Sequence, residues 1–225
     1  MKKRTVVFSV LILSLSGATT FAEPATTAVT GSSAVASVET AAFNEMTNPT
    51  PDAHSALYEV KPGDNLTVIA KKHGVTPAMI RSVNHLPDDR IRPKQKIKIP
   101  NYKFSAVVDK SLNTLVLKGD EVVLKTYVVA TGTGNSTPVG VFKITDKLVN
   151  PTWYKAGAVI KSGQPENELG SRWLGITAKG YGIHGTVHPE TLGRQVTAGC
   201  VRMRNEDVEE LYSYLVRGSE VTIVD

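Results

Sequence analysis

Two side chains in the C-terminal half of the sequence could together perform nucleophilic chemistry. Cys200 is the only cysteine among the 225 residues, and it follows a glycine, Gly199. His184 lies upstream between two nearby glycines. A thiolate is a strong nucleophile, and an imidazole that accepts the thiol proton would lower the pKa of the thiol. An unpaired cysteine is more often a small buried hydrophobic residue, so the residue types alone leave both interpretations open.

Residues around this pair could support a reaction at a carbonyl carbon. Backbone N–H groups near Gly199 and Cys200 could stabilise an oxyanion, and Gly199 lets the backbone approach a substrate closely. Arg202 could bind a substrate carboxylate through two hydrogen bonds, or it could form a structural ion pair. Aromatic residues could line a cleft beside the thiol or pack in the core: Trp153, Trp173 and Tyr181.

The elements that must position this pair are predicted to be mainly β-strands. β-Branched and aromatic residues predict strands over residues 104–108, 114–117, 122–130, 141–145 and 221–224. One helix is predicted near the C-terminus, capped by Asn205 and ended by Gly218. Short strands separated by frequent turns are typical of a β-sandwich or barrel. We therefore expect a mainly β domain with a C-terminal helix over residues 103–225.

A smaller α+β unit is predicted over residues 57–100, in the order strand, helix, helix, strand. Asp64 is placed to cap the first helix and Gly74 to end it, and Thr76 is placed to cap the second helix. The unit contains nine basic and four acidic residues. This charge could reflect attraction to an anionic partner, or it could be only a solvated basic surface.

The N-terminal segments predict export. Residues 1–22 combine a basic start, a short apolar run and small residues before a cleavage site after Ala22, which is typical of a signal peptide. Residues 23–56 are rich in Ala, Thr, Ser and Pro and contain no Lys or Arg, so we expect a flexible linker there. An exported protein gains nothing from an unpaired thiol unless it uses that thiol, which favours Cys200 as a nucleophile.

Two runs of residues match one known family in both type and spacing. They are Ile183-His-Gly-Thr186 and Thr197-x-Gly-Cys-Val-Arg-Met203. With these runs, residues 103–225 resemble the L,D-transpeptidase family of the YkuD type. The resemblance implies that Cys200 is the nucleophile and His184 the acid and base. The oxyanion and the substrate are expected to be supported by Gly199, Thr197, Arg202, Gly185, Tyr181 and Trp153. The family usually has His where this chain has Ala198.

The smaller unit carries its own motifs. Tyr58-x-Val60, Gly63-Asp-Asn-Leu66, Asn84-x-Leu86 and Ile97-x-Ile-Pro100 follow one another in the order found in LysM modules. Residues 57–100 therefore resemble a LysM module, which implies binding of glycans that contain N-acetylglucosamine. The candidate glycan contacts are Gly63, Asp64 and Asn65. The chain departs from the LysM pattern at Lys94, where the family usually has Gly.

Together these interpretations predict an exported L,D-transpeptidase that acts on peptidoglycan. The resemblance implies a thioester between Cys200 and a stem tetrapeptide donor. An amine acceptor would then form a cross-link between the third residues of two stems (a 3→3 cross-link), or would exchange the terminal D-amino acid. We expect no metal and no cofactor, no nucleic-acid partner, and no transmembrane anchor after signal cleavage. The expected form is a monomer in the periplasm or the cell wall.

Two alternatives stay open on the sequence. A peptidoglycan L,D-carboxypeptidase or another thiol hydrolase would form the same thioester, although familiar wall peptidases place Cys before His in the chain. A wall-binding protein with a decayed catalytic block would use only its LysM module. Ala198 favours the second alternative, whereas the intact His184 and Cys200 argue against it.

Overall fold

The folded elements are those of a computed structural model that describes residues 38–155 and 157–225. In chain order the strands are β1 (Val38–Glu39), β2 (Ser55–Glu59), β3 (Lys96–Pro100), β4 (Phe104–Asp109), β5 (Thr114–Gly119), β6 (Val122–Val128), β7 (Thr131–Gly132), β8 (Gly140–Val149), β9 (Trp153–Lys155), β10 (Ala158–Ile160), β11 (Arg172–Ile176), β12 (Gly182–His184), β13 (Gln195–Thr197), β14 (Val201–Arg202) and β15 (Glu220–Val224). The helices are α1 (Ala41–Thr47), α2 (Leu66–His73), α3 (Pro77–Val83) and α4 (Asn205–Tyr214). The predicted signal peptide and residues 23–37 of the predicted linker lie outside the described residues.

One mixed sheet contains nine of the described strands and curls back on itself. Its order is β1-β6-β5-β4-β15-β8-β11-β12-β14. The backbone of Ala130, just beyond β6, exchanges two hydrogen bonds of 2.8 Å with the backbone of Arg202 in β14. This bridge joins the last strand of the sheet to the chain that follows β6, so the two ends of the curled sheet meet.

The core of this domain lies between the sheet and α4. Along β4 and β5, buried and partly exposed residues alternate, as expected for a sheet with one face in the core. Val208, Leu211 and Tyr214 of α4 are buried. The predicted fold class, mainly β with a C-terminal helix, is confirmed. Within the described ranges, no helix is both long and apolar enough to cross a membrane.

The ends of α4 differ from the prediction. Arg204 rather than Asn205 is the N-cap residue, and Asn205 is the first residue of the helix. Asn205 does not cap because its side chain bonds to two other segments, as described below. The helix ends at Tyr214, and Gly218 lies in the turn beyond it with a φ of 89°.

Residues 55–100 form the predicted strand, helix, helix and strand. β2 and β3 pair in the antiparallel sense. Thr76 caps α3 through its side chain, and Gly74 ends α2 in the left-handed conformation, both as predicted. Asn65 rather than Asp64 caps α2, because its side chain accepts the hydrogen bond from the first turn.

The N-terminal strap, residues 38–52, is folded where the composition predicts a flexible linker. Its strand β1 pairs with β6 at the edge of the sheet, and Phe43 and Met46 of α1 are buried. The buried Lys98 of β3 donates from Nζ to backbone carbonyls at the end of α1. The linker prediction is wrong for residues 38–56. It rested on the average composition, which does not reveal that Phe43 and Met46 lie on one face of a helix.

Candidate active site

The pairing of β12 with β14 brings the two chemical residues to one cleft. His184 is the last residue of β12, Cys200 directly precedes β14, and these strands are parallel neighbours. Both side chains line a cavity of about 400 Å³. Four of the predicted support residues line the same cavity: Trp153, Tyr181, Thr197 and Arg202.

The imidazole of His184 is buried, and its Nδ1 lies 2.6 Å from the carbonyl oxygen of Gly185. Because a carbonyl oxygen can only accept, we assign the proton to Nδ1, which leaves Nε2 with a lone pair. Burial lowers the pKa of His184 to about 4, and the charge of Arg202 adds to this shift, whereas the backbone carbonyls of Gly185 and Glu168 oppose it. At neutral pH the ring is uncharged and can accept a proton at Nε2.

The thiol of Cys200 is partly buried, and this burial raises its pKa. The backbone N–H of Gly182 and the charge of Arg202 act in the opposite direction but do not cancel the shift. No hydrogen bond joins the thiol to the His184 ring in the part of the chain that the structure describes. The resting pair is therefore a neutral thiol and a neutral imidazole, and the expectation of a lowered thiol pKa is wrong for this state.

The turn before Cys200 is held by the hydroxyl of Thr197. This hydroxyl donates to the Cys200 carbonyl oxygen at 2.6 Å and accepts from the Gly199 N–H at 3.1 Å. Gly199 has a φ of 125°, and a Cβ there would lie 2.6 Å from Cε1 of Tyr181, so the turn requires glycine. The Gly199 N–H is thus already occupied. The Cys200 N–H has no hydrogen-bond partner among the described residues.

Arg202 forms the structural ion pair that the sequence left as one alternative. Its Nη2 lies 2.7 Å from Oε2 of Glu168, and its Nη1 donates to the Thr191 hydroxyl at 3.2 Å. The Arg202 side chain is only 8% exposed, and its Nε has no partner within the described ranges. Because the same side chain lines the cleft, it also places a positive charge beside the thiol.

Asn205 connects two walls of the cleft. Its Oδ1 accepts from the N–H groups of Ser171 at 3.0 Å and Thr186 at 3.2 Å, and its Nδ2 donates to the Thr186 carbonyl at 2.9 Å. A Cβ at either Gly170 or Gly185 would lie 2.2 Å from this Oδ1. Two glycines therefore make room for one carboxamide, a relationship that spacing along the sequence did not indicate.

A second cavity of about 310 Å³ adjoins the first and shares Trp153, Leu169, Gly180 and Cys200 with it. Its walls are largely apolar and are formed by Leu148, Pro151, Thr152, Trp153, Tyr154, Leu169, Trp173 and Gly180. The first cavity also contains two charged residues that lie between the sequence motifs, Glu168 and Lys179. The thiol is thus bordered by a charged cavity and an apolar one.

Models of two protein families match the chain. The model described as the L,D-transpeptidase catalytic domain, YkuD, matches residues 103–223, which are more than half of the chain. This chain belongs to the L,D-transpeptidase family. The LysM domain model matches residues 58–100, so this L,D-transpeptidase carries a LysM domain before its catalytic domain. Both resemblances seen in the sequence are confirmed, and both domain types relate the protein to peptidoglycan.

Two relatives from Bacillus subtilis (strain 168) that bear L,D-transpeptidase names are similar to this L,D-transpeptidase. YkuD is 34% identical over 173 residues, which cover 74% of this chain and 97% of the relative. YqjB is 42% identical over 125 residues, which cover 53% of this chain and 70% of the relative. A crystal structure of an L,D-transpeptidase from Mycobacterium tuberculosis H37Rv is 16% identical, with a TM-score of 0.48 over 60% of this chain and 75% of that chain.

The candidate glycan contacts of the LysM domain form the turn before α2. Gly63 has a φ of 86°, and Asn65 caps the helix. The Asp64 carboxylate accepts hydrogen bonds from the Tyr58 hydroxyl and the Lys61 N–H, both at 2.8 Å. The polar side chains of this turn therefore hold the turn itself together.

Proposed function

We propose that this L,D-transpeptidase transfers a peptidoglycan stem peptide from a tetrapeptide donor to an amine acceptor through a thioester on Cys200. The observation that supports transfer most directly is the position of Cys200 between two cavities. A transferase must hold two substrates at one nucleophile, whereas a hydrolase needs room for one substrate and a water molecule. Positioning of an amine can outweigh the high concentration of water, because a well-oriented reactant behaves as if it were present at very high molarity.

Acylation starts from the neutral thiol and the neutral imidazole. As Sγ attacks the carbonyl carbon of the third stem residue, the thiol proton passes to Nε2 of His184. The carbonyl of Gly185 accepts the hydrogen bond from Nδ1 and stabilises the imidazolium that forms. The bond to the terminal D-alanine then breaks, and the imidazolium gives its proton to the leaving amine. A thioester remains on Cys200.

Transfer reverses the same proton path. The acceptor amine attacks the thioester carbonyl and gives a proton to the neutral His184, the C–S bond breaks, and the proton returns to Sγ. The product is an amide between the third residues of two stems, or an exchanged terminal residue when the acceptor is a free D-amino acid. In both steps the Cys200 N–H, which has no partner within the described ranges, is the donor that we assign to the oxyanion.

The charges of the two cavities favour one assignment of the substrates. A tetrapeptide donor ends in a carboxylate, which Lys179 of the charged cavity can attract, whereas Arg202 is already paired with Glu168. The acceptor then approaches from the apolar cavity, whose wall includes Tyr154. Lys179→Ala is expected to raise the KM for the donor, and Tyr154→Ala is expected to raise the KM for the acceptor only. Equal effects of both variants on both substrates would contradict this assignment.

The deciding experiment incubates the purified protein with a stem tetrapeptide and increasing concentrations of an amine acceptor. We expect transfer product to exceed the tripeptide that hydrolysis releases, and we expect Cys200→Ser to abolish both. Tripeptide as the main product at every acceptor concentration would instead establish an L,D-carboxypeptidase. If mass spectrometry finds neither product nor an acylated Cys200, the catalytic block has decayed, as Ala198 would suggest.

Export and glycan anchoring complete the proposal. Residues 1–22 direct secretion, and the LysM domain holds the protein on N-acetylglucosamine-containing glycan. Sequencing the N-terminus of the secreted protein is expected to start at Glu23. Sedimentation with insoluble peptidoglycan is expected to be competed by soluble N-acetylglucosamine oligomers, and a lack of competition would contradict the anchoring role.

A further inference from the structure

Lys110, which directly follows β4, is a buried cation that the proposed reaction does not use. Its side chain is only 3% exposed, and a buried charge is costly unless it is paired and hydrogen-bonded. Nζ donates to the Thr137 carbonyl at 3.0 Å and the Asn135 carbonyl at 3.4 Å, and it lies 2.9 Å from Oδ1 of Asp225. The Lys110 N–H donates to the Val224 carbonyl of β15 at 3.0 Å. Three oxygen atoms thus use the three donors of an ammonium group that is itself anchored to the sheet.

The contacts of Lys110 hold one short loop, residues 133–137, which we call the support loop. Two of the three oxygen atoms are backbone carbonyls of this loop, those of Asn135 and Thr137. The third belongs to Asp225, whose Oδ1 also accepts a hydrogen bond from the Asn135 side chain at 2.7 Å. The ammonium therefore fixes the support loop to the strands β4 and β15.

The support loop lies against the turn that carries Cys200. The Thr137 hydroxyl accepts a hydrogen bond from the Gly132 N–H at 2.8 Å, which ties the end of the loop to β7. A Cβ at Gly132 would lie 2.8 Å from the Gly199 Cα, and a Cβ at Gly199 would lie 3.3 Å from the Ser136 carbonyl oxygen. The backbone of the loop and the backbone of the turn are therefore in direct contact.

A second connection runs through the strand that leads to the nucleophile. β7 pairs with β13 in the parallel sense, and Gly132 is in register with Thr197. Thr197 is the residue whose hydroxyl holds the turn before Cys200. The Thr133 hydroxyl of the support loop also donates to the Gln195 carbonyl of β13 at 3.3 Å. A shift of the support loop would therefore reach the turn both through β13 and through the direct contact.

We propose that Lys110 is a positioning residue for the nucleophile and acts by fixing the support loop against the turn at Gly199. This inference rests on the proposed transfer reaction, since it concerns the rate at which Cys200 attacks. Lys110 is not one of the described residues that line the two cavities at the thiol, so its effect passes through the backbone rather than through substrate. Misplacing a reacting group by about 1 Å can lower a rate about a hundredfold, so a well-held turn is valuable.

Lys98 provides a matched control for the loss of a buried ammonium group. Its side chain is also buried, and its Nζ also contacts two backbone carbonyls and one carboxylate, those of Glu45, Asn48 and Asp52. These residues lie outside the two cavities at Cys200. Lys98→Met therefore removes an equivalent set of contacts from another part of the fold, and we expect it to lower Tm about as much as Lys110→Met.

The test compares Lys110→Met and Lys98→Met with the unmodified full-length protein in two assays. In the transfer assay, Lys110→Met is expected to lower kcat about tenfold and to change the donor KM less than about twofold, whereas Lys98→Met changes neither. Alkylation of Cys200 by iodoacetamide, the second assay, does not require transfer. Burial raises the pKa of this thiol, so a looser turn in Lys110→Met is expected to move the alkylation midpoint to lower pH. Loss of the positive charge alone would not lower the midpoint, because a nearby cation favours the thiolate.

A second variant, Thr137→Val, tests the next link of the same path and serves if Lys110→Met does not fold. It keeps the ammonium but removes the hydroxyl that binds the Gly132 N–H, and we expect the same directions in both assays. Unchanged kcat and an unchanged alkylation midpoint would overturn the proposal, as would an equal loss of kcat in Lys98→Met or a raised donor KM at unchanged kcat. If the unmodified protein shows no transfer, the proposed function fails, and the alkylation midpoints alone decide the role of Lys110.

Discussion

The carboxamide of Asn205 and the backbone of Thr186 form a two-way hydrogen-bonded pair. Oδ1 accepts the Thr186 N–H at 3.2 Å, and Nδ2 donates to the Thr186 carbonyl at 2.9 Å. Thr186 follows Gly185, whose carbonyl receives the Nδ1 proton of His184. Asn205 therefore helps to position the Gly185 carbonyl, which holds the proton of His184 on Nδ1. Asn205 does not itself line the charged cavity.

Asn205→Ala is expected to lower kcat at least about tenfold and to lower the free energy of unfolding. Each donor or acceptor left without a partner costs about 1–3 kcal/mol. Asn205→Asp keeps the accepting oxygen but sets a charged carboxylate oxygen against the Thr186 carbonyl, so its losses are expected to be at least as large. Steady-state kinetics and thermal unfolding of the two variants check this order. Equal kcat in Asn205→Ala and the unmodified protein would contradict the positioning role.

The reactivity of Cys200 towards iodoacetamide is expected to rise with pH along a curve whose midpoint lies above the usual thiol value of about 8.5. Burial raises the pKa of this thiol, and only the thiolate is alkylated rapidly. The measurement is the alkylation rate at a series of pH values, with free cysteine as the control. A midpoint below the free-cysteine value would show a resting thiolate–imidazolium pair instead.

His184 is expected to make the protein less stable in acid. Its pKa is about 4 in the folded chain and about 6.5 when unfolded, so between these values the unfolded chain binds a proton that the folded chain does not. The free energy of unfolding contributed by this group is fully present above pH 6.5 and falls by up to about 3 kcal/mol as the pH approaches 4. Denaturant titrations of the unmodified protein and of His184→Gln give the difference. An identical pH dependence in both proteins would refute the assignment.

The N-terminal strap is expected to contribute to the stability of the whole fold. Met46 is fully buried, and truncating such a residue to alanine costs about 2–5 kcal/mol. Met46→Ala should therefore lower Tm clearly, whereas Asn44→Ala, an exposed position on the same helix, should change the free energy of unfolding by less than about 0.5 kcal/mol. Equal Tm values in the two variants would show that the strap does not contribute to the stability of the fold.

The elements that the sequence predicts well are those whose information is local. The strand patterns of β4, β5 and β15, the cap at Thr76 and the left-handed Gly74 all follow from neighbouring residue types. The pairing of His184 with Cys200 in one cleft was also predicted, because the family motif carries it. Long-range relationships were not predictable in this way.

Asn205 and Glu168 illustrate that limit. Both bond to partners far along the chain, and nothing in their own neighbourhoods indicates those partners. The thiol pKa is a second case, because the sequence shows a candidate base but not the burial that determines the direction of the shift. The strap is a third case. Phe43 and Met46 are buried because α1 packs against β6 and α3, and these contacts are not visible in the sequence.

From the bridge between Ala130 and Arg202 we expect the surroundings of the candidate nucleophile to be completed late in folding. Cys200 directly precedes the strand that bonds to Ala130, so the final anchoring of its turn requires the sheet to close. Contacts between distant parts of a chain form slowly, because a long loop must first be ordered. The rate at which a refolding sample acquires acylation by a substrate analogue therefore reports the completion of the fold.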